Sequence, residues 1–151
     1  MSSISEFLIT LLESLGLYST QNGLGEHLRG LDLQCNDYTG QSIYNMVLIF
    51  LFSINTLIML NYYYGILNRI PFNRWWWWLI NVLVGAIILF IIAFMYANND
   101  LSTGNYCKQL QMTTSDCLGF GFAASIFSAL WSLILSLLIK WKSINNKKVP
   151  F

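Results

Sequence analysis

Charge is what this sequence lacks most. Only 10% of its 151 residues are charged, whereas soluble domains carry roughly 25%. So few ionisable groups cannot cover the surface of a water-soluble domain of this size. The composition therefore excludes an ordinary soluble enzyme, a disordered chain and a nucleic-acid-binding domain with a basic face. The chain is instead 56% hydrophobic and 16% aromatic, which favours a protein embedded in a lipid bilayer.

The few charges leave three long uncharged gaps. They hold 31, 25 and 23 residues and lie between Asp37 and Arg69, Arg74 and Asp100, and Asp116 and Lys140. Each gap is long enough for one span, since about 20 apolar residues of helix cross a bilayer core about 30 Å thick. The runs are continuously apolar and do not alternate, so helices are favoured over strands. We predict an all-α integral membrane protein with three transmembrane helices, at about 43–65, 75–97 and 118–139.

The remaining charges are sorted by sign along the chain. All seven acids lie in the N-terminal tail or the loop after the second span, and six of the eight bases lie in the first loop or the C-terminal tail. Basic residues mark cytoplasmic segments. We therefore predict the N-terminus outside and the C-terminus in the cytoplasm, in a plasma membrane or bacterial inner membrane. The chain then divides into an outer tail (1–41), a transmembrane bundle (42–141) and a basic cytoplasmic tail (142–151).

Tryptophan is concentrated at the predicted cytoplasmic interface. Four consecutive residues, Trp75, Trp76, Trp77 and Trp78, open the second span, and Trp141 follows the third. Because indole rings favour headgroup depth, we interpret all five as interface anchors. The alternative is a cage for a quaternary ammonium group. A cage needs rings on one face, whereas four consecutive residues encircle a helix.

Residues 4–15 have the pattern of a short amphipathic helix. One face is apolar and consists of Ile4, Phe7, Leu8, Leu11 and Leu15. The opposite face is polar and consists of Glu6, Thr10 and Glu13. The segment is too short to cross a bilayer. We expect it to lie along the outer membrane surface or to pack on the outer ends of the other helices. A re-entrant segment lining a pore entrance is the alternative.

The third span carries the most specific polar pattern. Small residues recur there at steps of three and four and share a narrow arc: Gly121, Ser125, Ser128, Ser132 and Ser136, here called the serine seam. The first span has a looser seam of Ser42, Asn45, Ser53 and Thr56, with Asn55 elsewhere on the helix. Small residues let helices approach, and hydroxyls bond between them. We interpret both seams as packing surfaces, within one subunit or between subunits, with a pore lining as the alternative.

Ionisable groups are absent from the three predicted cores. Proton relays, voltage sensors and ion-coupled carriers normally place such groups there, and no base is available to activate a serine. We therefore expect no catalytic site and no cofactor. His27, the single histidine, lies in the tail, where we interpret it as an exposed loop residue, with pH sensing as the alternative.

All three cysteines lie on the predicted outer side, where disulfides form. We favour a Cys107–Cys117 bridge within one loop. The alternatives pair Cys35 with that loop or with another subunit. A zinc site of the three cysteines and His27 lacks the usual C-x₂-C spacing, so we expect no metal.

These features favour a non-catalytic membrane subunit. Its predicted partners are the lipid bilayer and further copies of itself or other membrane subunits, without nucleic acid. We expect it to oligomerise through its transmembrane helices as a structural or assembly component of a membrane complex. The alternative is an oligomeric channel or pore-forming protein, including a membrane-disrupting effector.

Overall fold

All regular structure in the described part of the chain is helical. The architecture comes from a computed structural model that describes residues 3–18, 23–65, 67 and 74–143. Its helices are α1 (Ser3–Ser14), α2 (Leu24–Leu28), α3 (Ile43–Tyr64), α4 (Trp75–Thr103) and α5 (Thr114–Ile139), followed by a 3₁₀ turn (Lys140–Lys142). Helices α3, α4 and α5 are long and apolar enough to cross a membrane. The prediction of an all-α protein with three membrane-length helices is confirmed. The basic tail lies outside the described residues from position 144 onward.

Local capping sets the helix ends that differ from the predicted bounds. At the start of α5, the Thr113 hydroxyl accepts from the Asp116 N–H at 3.3 Å, and Asp116 Oδ2 accepts from the Thr113 N–H at 3.1 Å. This reciprocal capping box begins α5 at Thr114, ahead of the predicted 118. Helix α4 continues past 97 until Gly104, whose φ of 71° ends it in the left-handed region.

The three long helices form a bundle with two distinct ends. Helices α4 and α5 share the largest interface, and α3 packs against both. We call the end that holds α1, α2 and the start of α3 the tail end, and the opposite one, where α4 starts, the tryptophan end. A large apolar cluster fills the tail end. A smaller cluster at the tryptophan end consists of Met59, Tyr62, Tyr63, Val82 and Leu135.

Helix α1 packs on the tail end with a face that shares only Leu8 with the predicted one among its described side chains. Ile9 and Leu12 are fully buried in the large cluster. Three residues of the predicted apolar face are exposed instead: Phe7, Leu11 and Leu15. The side chain of Ile4 lies outside the described residues. The helix therefore has apolar residues on both its protein-facing and its outward sides.

A polar network explains this orientation of α1. Arg29 Nη2 donates to both carboxylate oxygens of Glu13, at 2.9 and 3.1 Å. The Tyr44 hydroxyl donates to Glu13 at 3.3 Å and lies 2.6 Å from the Tyr18 hydroxyl. Burial raises the pKa of Tyr18 to about 12, so this phenol stays neutral at physiological pH. Because Glu13 turns toward the protein, Ile9, four residues earlier on the same face, turns inward with it.

Candidate functional site

A polar junction lies deep in the bundle, where the serine seam meets α3. Asn55 Oδ1 accepts hydrogen bonds from the hydroxyls of Ser128 and Ser132, each at 2.9 Å. Its Nδ2 donates to the Leu51 carbonyl of its own helix at 2.8 Å. All three polar side chains are fully buried. Asn55 lies about 18 Å along α3 from its first residue, at 1.5 Å per residue. The junction is therefore at membrane depth and joins α3 to α5.

Helix α4 closes this junction at Gly85. A Cβ atom placed on Gly85 would lie 2.5 Å from Asn55 Oδ1, well inside contact distance. Only glycine therefore lets the α4 backbone approach the amide this closely. Asn55, Gly85, Ser128 and Ser132 together form what we call the Asn55 junction, which contains one residue each from α3 and α4 and two from α5.

A second junction at the tryptophan end has the same three-helix design. Trp78 Nε1 donates to the Ser136 hydroxyl at 2.9 Å, and the Tyr63 hydroxyl is hydrogen-bonded to the same oxygen. Ser136 is fully buried. One serine of α5 thus joins α3 through Tyr63 and α4 through Trp78. Trp78 thus forms a hydrogen bond between helices. Its position in the run of four tryptophans did not indicate this role.

The other two members of the serine seam lie outside these junctions. Gly121 is buried against the ring of Phe90, which would be 3.1 Å from an added Cβ. Ser125 is only half-buried, and its hydroxyl donates to the Phe122 carbonyl of its own helix at 2.8 Å. The structure therefore brings Ser128, Ser132 and Ser136 to neighbouring helices, Gly121 to an aromatic contact and Ser125 to the edge of the bundle.

On α3 the structure corrects the predicted seam. Ser53 is exposed, and Asn45 and Thr56 are half-buried, so these residues do not form the polar contact with α5. Asn55, which lies outside that predicted seam, supplies it. In the structure, Leu51, Asn55 and Met59 follow one another at steps of four and form a buried row on α3.

The tryptophan run is divided between two environments. Trp75 and Trp76 are exposed, at 52% and 57%, and their rings stack with centroids 3.8 Å apart. Trp141 is 73% exposed. Trp77 and Trp78 are half-buried and pack on the small cluster at the tryptophan end. Three of the five predicted anchors thus lie on the outer surface, where an interfacial role requires them, and two lie partly inside the bundle.

The predicted disulfide is wrong. Cys35 is bonded to Cys107, with 5.5 Å between their Cα atoms, and Cys117 is a free, buried thiol. Cys117 follows the capping residue Asp116 in the first turn of α5, and its side chain belongs to the large apolar cluster. It therefore points into the bundle and away from the loop. The bridge ties the N-terminal tail to the loop between α4 and α5, as in one of the alternative pairings.

Both junctions contain hydroxyl, amide and indole groups and no acid or base. They can hold helices in register, but they offer no group that would activate a nucleophile. Within the described ranges, no cluster of three His, Cys, Asp or Glu side chains could hold a metal ion. No family model, curated protein or solved structure matches the chain. The class that the fold indicates is a multi-pass membrane protein with three apolar helices.

The Asn55 junction gives a direct test of helix packing. Asn55→Leu is expected to destabilise the bundle by about 1–3 kcal/mol, because two interhelical hydrogen bonds, each worth about 0.6–1.7 kcal/mol, are lost. Ser128→Ala should cost less, and in the Asn55→Leu background it should cost almost nothing, since its acceptor is already gone. The measurement is detergent-induced unfolding in mixed micelles. Ser53→Ala, on the exposed side, is the control. Fully additive losses would show that the hydroxyl and the amide do not interact.

Proposed function

We propose that this protein is a non-catalytic membrane subunit that serves as a structural or assembly component of a membrane complex. Its tail end faces outward and its C-terminus the cytoplasm. The observation that carries the proposal is that Ser128, Ser132 and Ser136 are hydrogen-bonded and buried within a single chain. Such a chain has a fixed three-helix body at membrane depth, which suits a scaffold.

The same contacts argue against a water-filled pathway along the seam. A pore lining requires polar groups that face water. Here the hydroxyls of Ser128 and Ser132 instead donate hydrogen bonds to Asn55 Oδ1, at 2.9 Å each. The sequence also places no ionisable group in the apolar cores. Ion pathways generally use such groups. A packed scaffold therefore accounts for the seam better than a channel does.

Helix α1 fits the proposed setting as an amphipathic interfacial helix. Its exposed Phe7, Leu11 and Leu15 would lie in the outer leaflet, while Ile9 and Leu12 hold it to the bundle. Beside it runs a wholly apolar groove of about 270 Å³ between α1, α3 and α5. Apolar faces of this kind bury themselves in the acyl region of a membrane. Helix α1 would thus seat the tail end at the membrane surface.

Because the seam is used internally, contacts with other subunits would come from the outward faces. Helix α4 offers one such face, a row of exposed apolar side chains: Ile80, Leu83, Val84, Ile87 and Ile91. Helix association in membranes depends on close packing, since lipid tails are as apolar as these side chains. We propose this face as the assembly surface, with a second copy of the chain as the first partner to test.

Particle mass in lipid nanodiscs tests assembly. The wild-type chain is expected to give a mass above that of one copy. Leu83→Trp combined with Ile87→Trp should shift it toward the monomer, because the added bulk blocks close approach along α4. Leu130→Trp, on an exposed face of α5, is the matched control and should leave the mass unchanged. A wild-type chain that is monomeric at every protein-to-lipid ratio would contradict self-assembly.

Thiol accessibility separates a scaffold from a pore. In a chain with the free thiol removed by Cys117→Ala, we expect Ser128→Cys and Ser132→Cys to resist a water-soluble maleimide. Both positions are fully buried. Ser102→Cys, on the exposed end of α4, should label readily and is the positive control. Rapid labelling at 128 and 132, together with conductance in planar bilayers, would establish the channel instead.

A further inference from the structure

A polar pocket lies at the tail end, apart from both junctions. Its volume is about 280 Å³, near the lower limit of the roughly 300–1,000 Å³ of small-molecule sites. The walls come from four parts of the chain: the α2 segment, the tail loop, the start of α3 and the end of α4. Six of the lining residues determine the charge and polarity of the pocket: His27, Asp32, Ile43, Met46, Tyr96 and Asp100. The disulfide between Cys35 and Cys107 ties together two of the segments that meet at this end.

The histidine in this pocket is buried, whereas the sequence predicted an exposed loop residue. His27 is 6% exposed, and its Nε2 lies 3.2 Å from Asp100 Oδ2. Its other ring nitrogen, Nδ1, is buried and has no hydrogen-bond partner among the described residues. Buried polar atoms nearly always have a partner, so Nδ1 is an unsatisfied atom of a residue that lines this pocket.

The charge of the pocket determines which kind of ligand it can bind. Its described lining contains two carboxylates, Asp32 and Asp100, and no lysine or arginine. Even a protonated His27 would leave the lining with a net negative charge. Arg29, the nearest base along the chain, is engaged by Glu13. The field inside the pocket therefore favours a cation.

The remaining walls favour an organic cation over a bare ion. Ile43 and Met46 are apolar, and Tyr96, 38% exposed, adds an aromatic side chain to the lining. Aromatic rings attract organic cations. No three His, Cys, Asp or Glu side chains of the described residues are arranged to hold a metal ion. An ammonium group with an apolar body matches both kinds of wall, because the carboxylates take the charge and the side chains of α3 and α4 take the body.

We propose that this pocket binds a small organic ammonium compound from the outer side. Asp32 and Asp100 hold its charge, and Ile43, Met46 and Tyr96 contact its apolar part. The ligand spans the junction of tail, α3 and α4, so binding would also stabilise the tail end against unfolding. Neither the proposed scaffold role nor the assembly surface on α4 is needed for this site.

The test is calorimetric titration of the oxidised full-length chain in nanodiscs. The probe is phenethylammonium, with 2-phenylethanol as its uncharged counterpart and 3-phenylpropionate as an anion of similar size. We expect the cation to bind at least about tenfold more tightly than the alcohol, because only the cation can form a charged hydrogen bond with the carboxylates. The anion is expected not to bind. Added sodium chloride should weaken binding gradually, as for screened charges.

Isosteric variants locate the site. Asp32→Asn and Asp100→Asn should each weaken binding of the cation about tenfold or more, because each removes one negative charge and little volume. Asp37→Asn, an exposed acid of the same loop, is the matched control and should bind like the wild type. Intact Cys35–Cys107 bridges and unchanged particle mass verify folding in all three. Equal affinity for the alcohol, unchanged affinity in both lining variants, or a folded wild type that binds none of the probes would overturn the proposal.

Discussion

Replacing Cys35 with serine is expected to lower the free energy of unfolding by about 2–4 kcal/mol, because the bridge restrains the denatured chain. The two cysteines are 72 residues apart in sequence. A free loop of that length corresponds to about 4 kcal/mol. Since α3 and α4 remain in the membrane when packing is lost, the denatured chain is already restrained, and the effect should fall below that limit. Detergent-induced unfolding measures it, and reductant should bring the wild type down to the level of the variant.

Cys117→Ala is the matched control for this experiment. It removes a buried thiol and leaves the bridge in place, so we expect a loss of about 1 kcal/mol or less. Counting free thiols in the denatured, unreduced chain gives a second readout. The expected numbers are one in the wild type, none in Cys117→Ala and two in Cys35→Ser. A Cys35→Ser chain without free thiols would mean that Cys107 is joined to Cys117 and would contradict the structure.

Gly85→Val is expected to destabilise the bundle strongly, with a loss of about 3 kcal/mol, at the upper end of overpacking effects. The added Cβ would lie 2.5 Å from Asn55 Oδ1. Either α4 moves away from the bundle, or the amide turns and leaves the hydroxyls of Ser128 and Ser132 without their acceptor. Both outcomes open the interface at its centre, and the wider packing of α4 on α5 then loosens.

Val84→Leu serves as the comparison for that variant. It enlarges the neighbouring side chain, which is 43% exposed and faces away from the bundle. We expect a change within about 0.5 kcal/mol. Unfolding in mixed micelles measures both variants. If Gly85→Val were tolerated as well as Val84→Leu, α4 would not approach Asn55 closely, and the Asn55 junction would have to be abandoned.

The membrane helices could be predicted because a charged side chain in lipid has a high free energy, so long uncharged segments of the sequence indicate membrane spans. The serine seam could be found because hydroxyl residues stand out in an apolar run. Its partner on α3 could not be identified from periodicity. Lipid and the bundle interior are both apolar, so the exposed Leu57 and the buried Leu51 are indistinguishable in sequence. Which face of α3 turns inward is decided by packing against α4 and α5.

The errors at the tail end have other physical causes. Spacing alone does not determine which of three cysteines pair. The start of α5 was misplaced because Thr113 and Asp116 form a capping box with aspartate where glutamate is usual. His27 was expected in solvent because its burial depends on contacts far along the chain, with Asp100 and Tyr106. The disulfide pairing and the burial of His27 thus arise from tertiary contacts that no local window of sequence contains, whereas the start of α5 is set locally.

The bridge between Cys35 and Cys107 also bears on biosynthesis. Its second cysteine is synthesised 72 residues after the first, so α3 and α4 are both synthesised before the bond can form. With the tail end outside, as proposed, the bond can close only in a chain whose first two spans have crossed the membrane as a hairpin. A chain threaded in the reverse sense would leave both sulfurs in the reducing cytosol and remain unbridged. Only a chain inserted in the proposed orientation therefore becomes oxidised, and a quality-control protease could distinguish it from the reduced form.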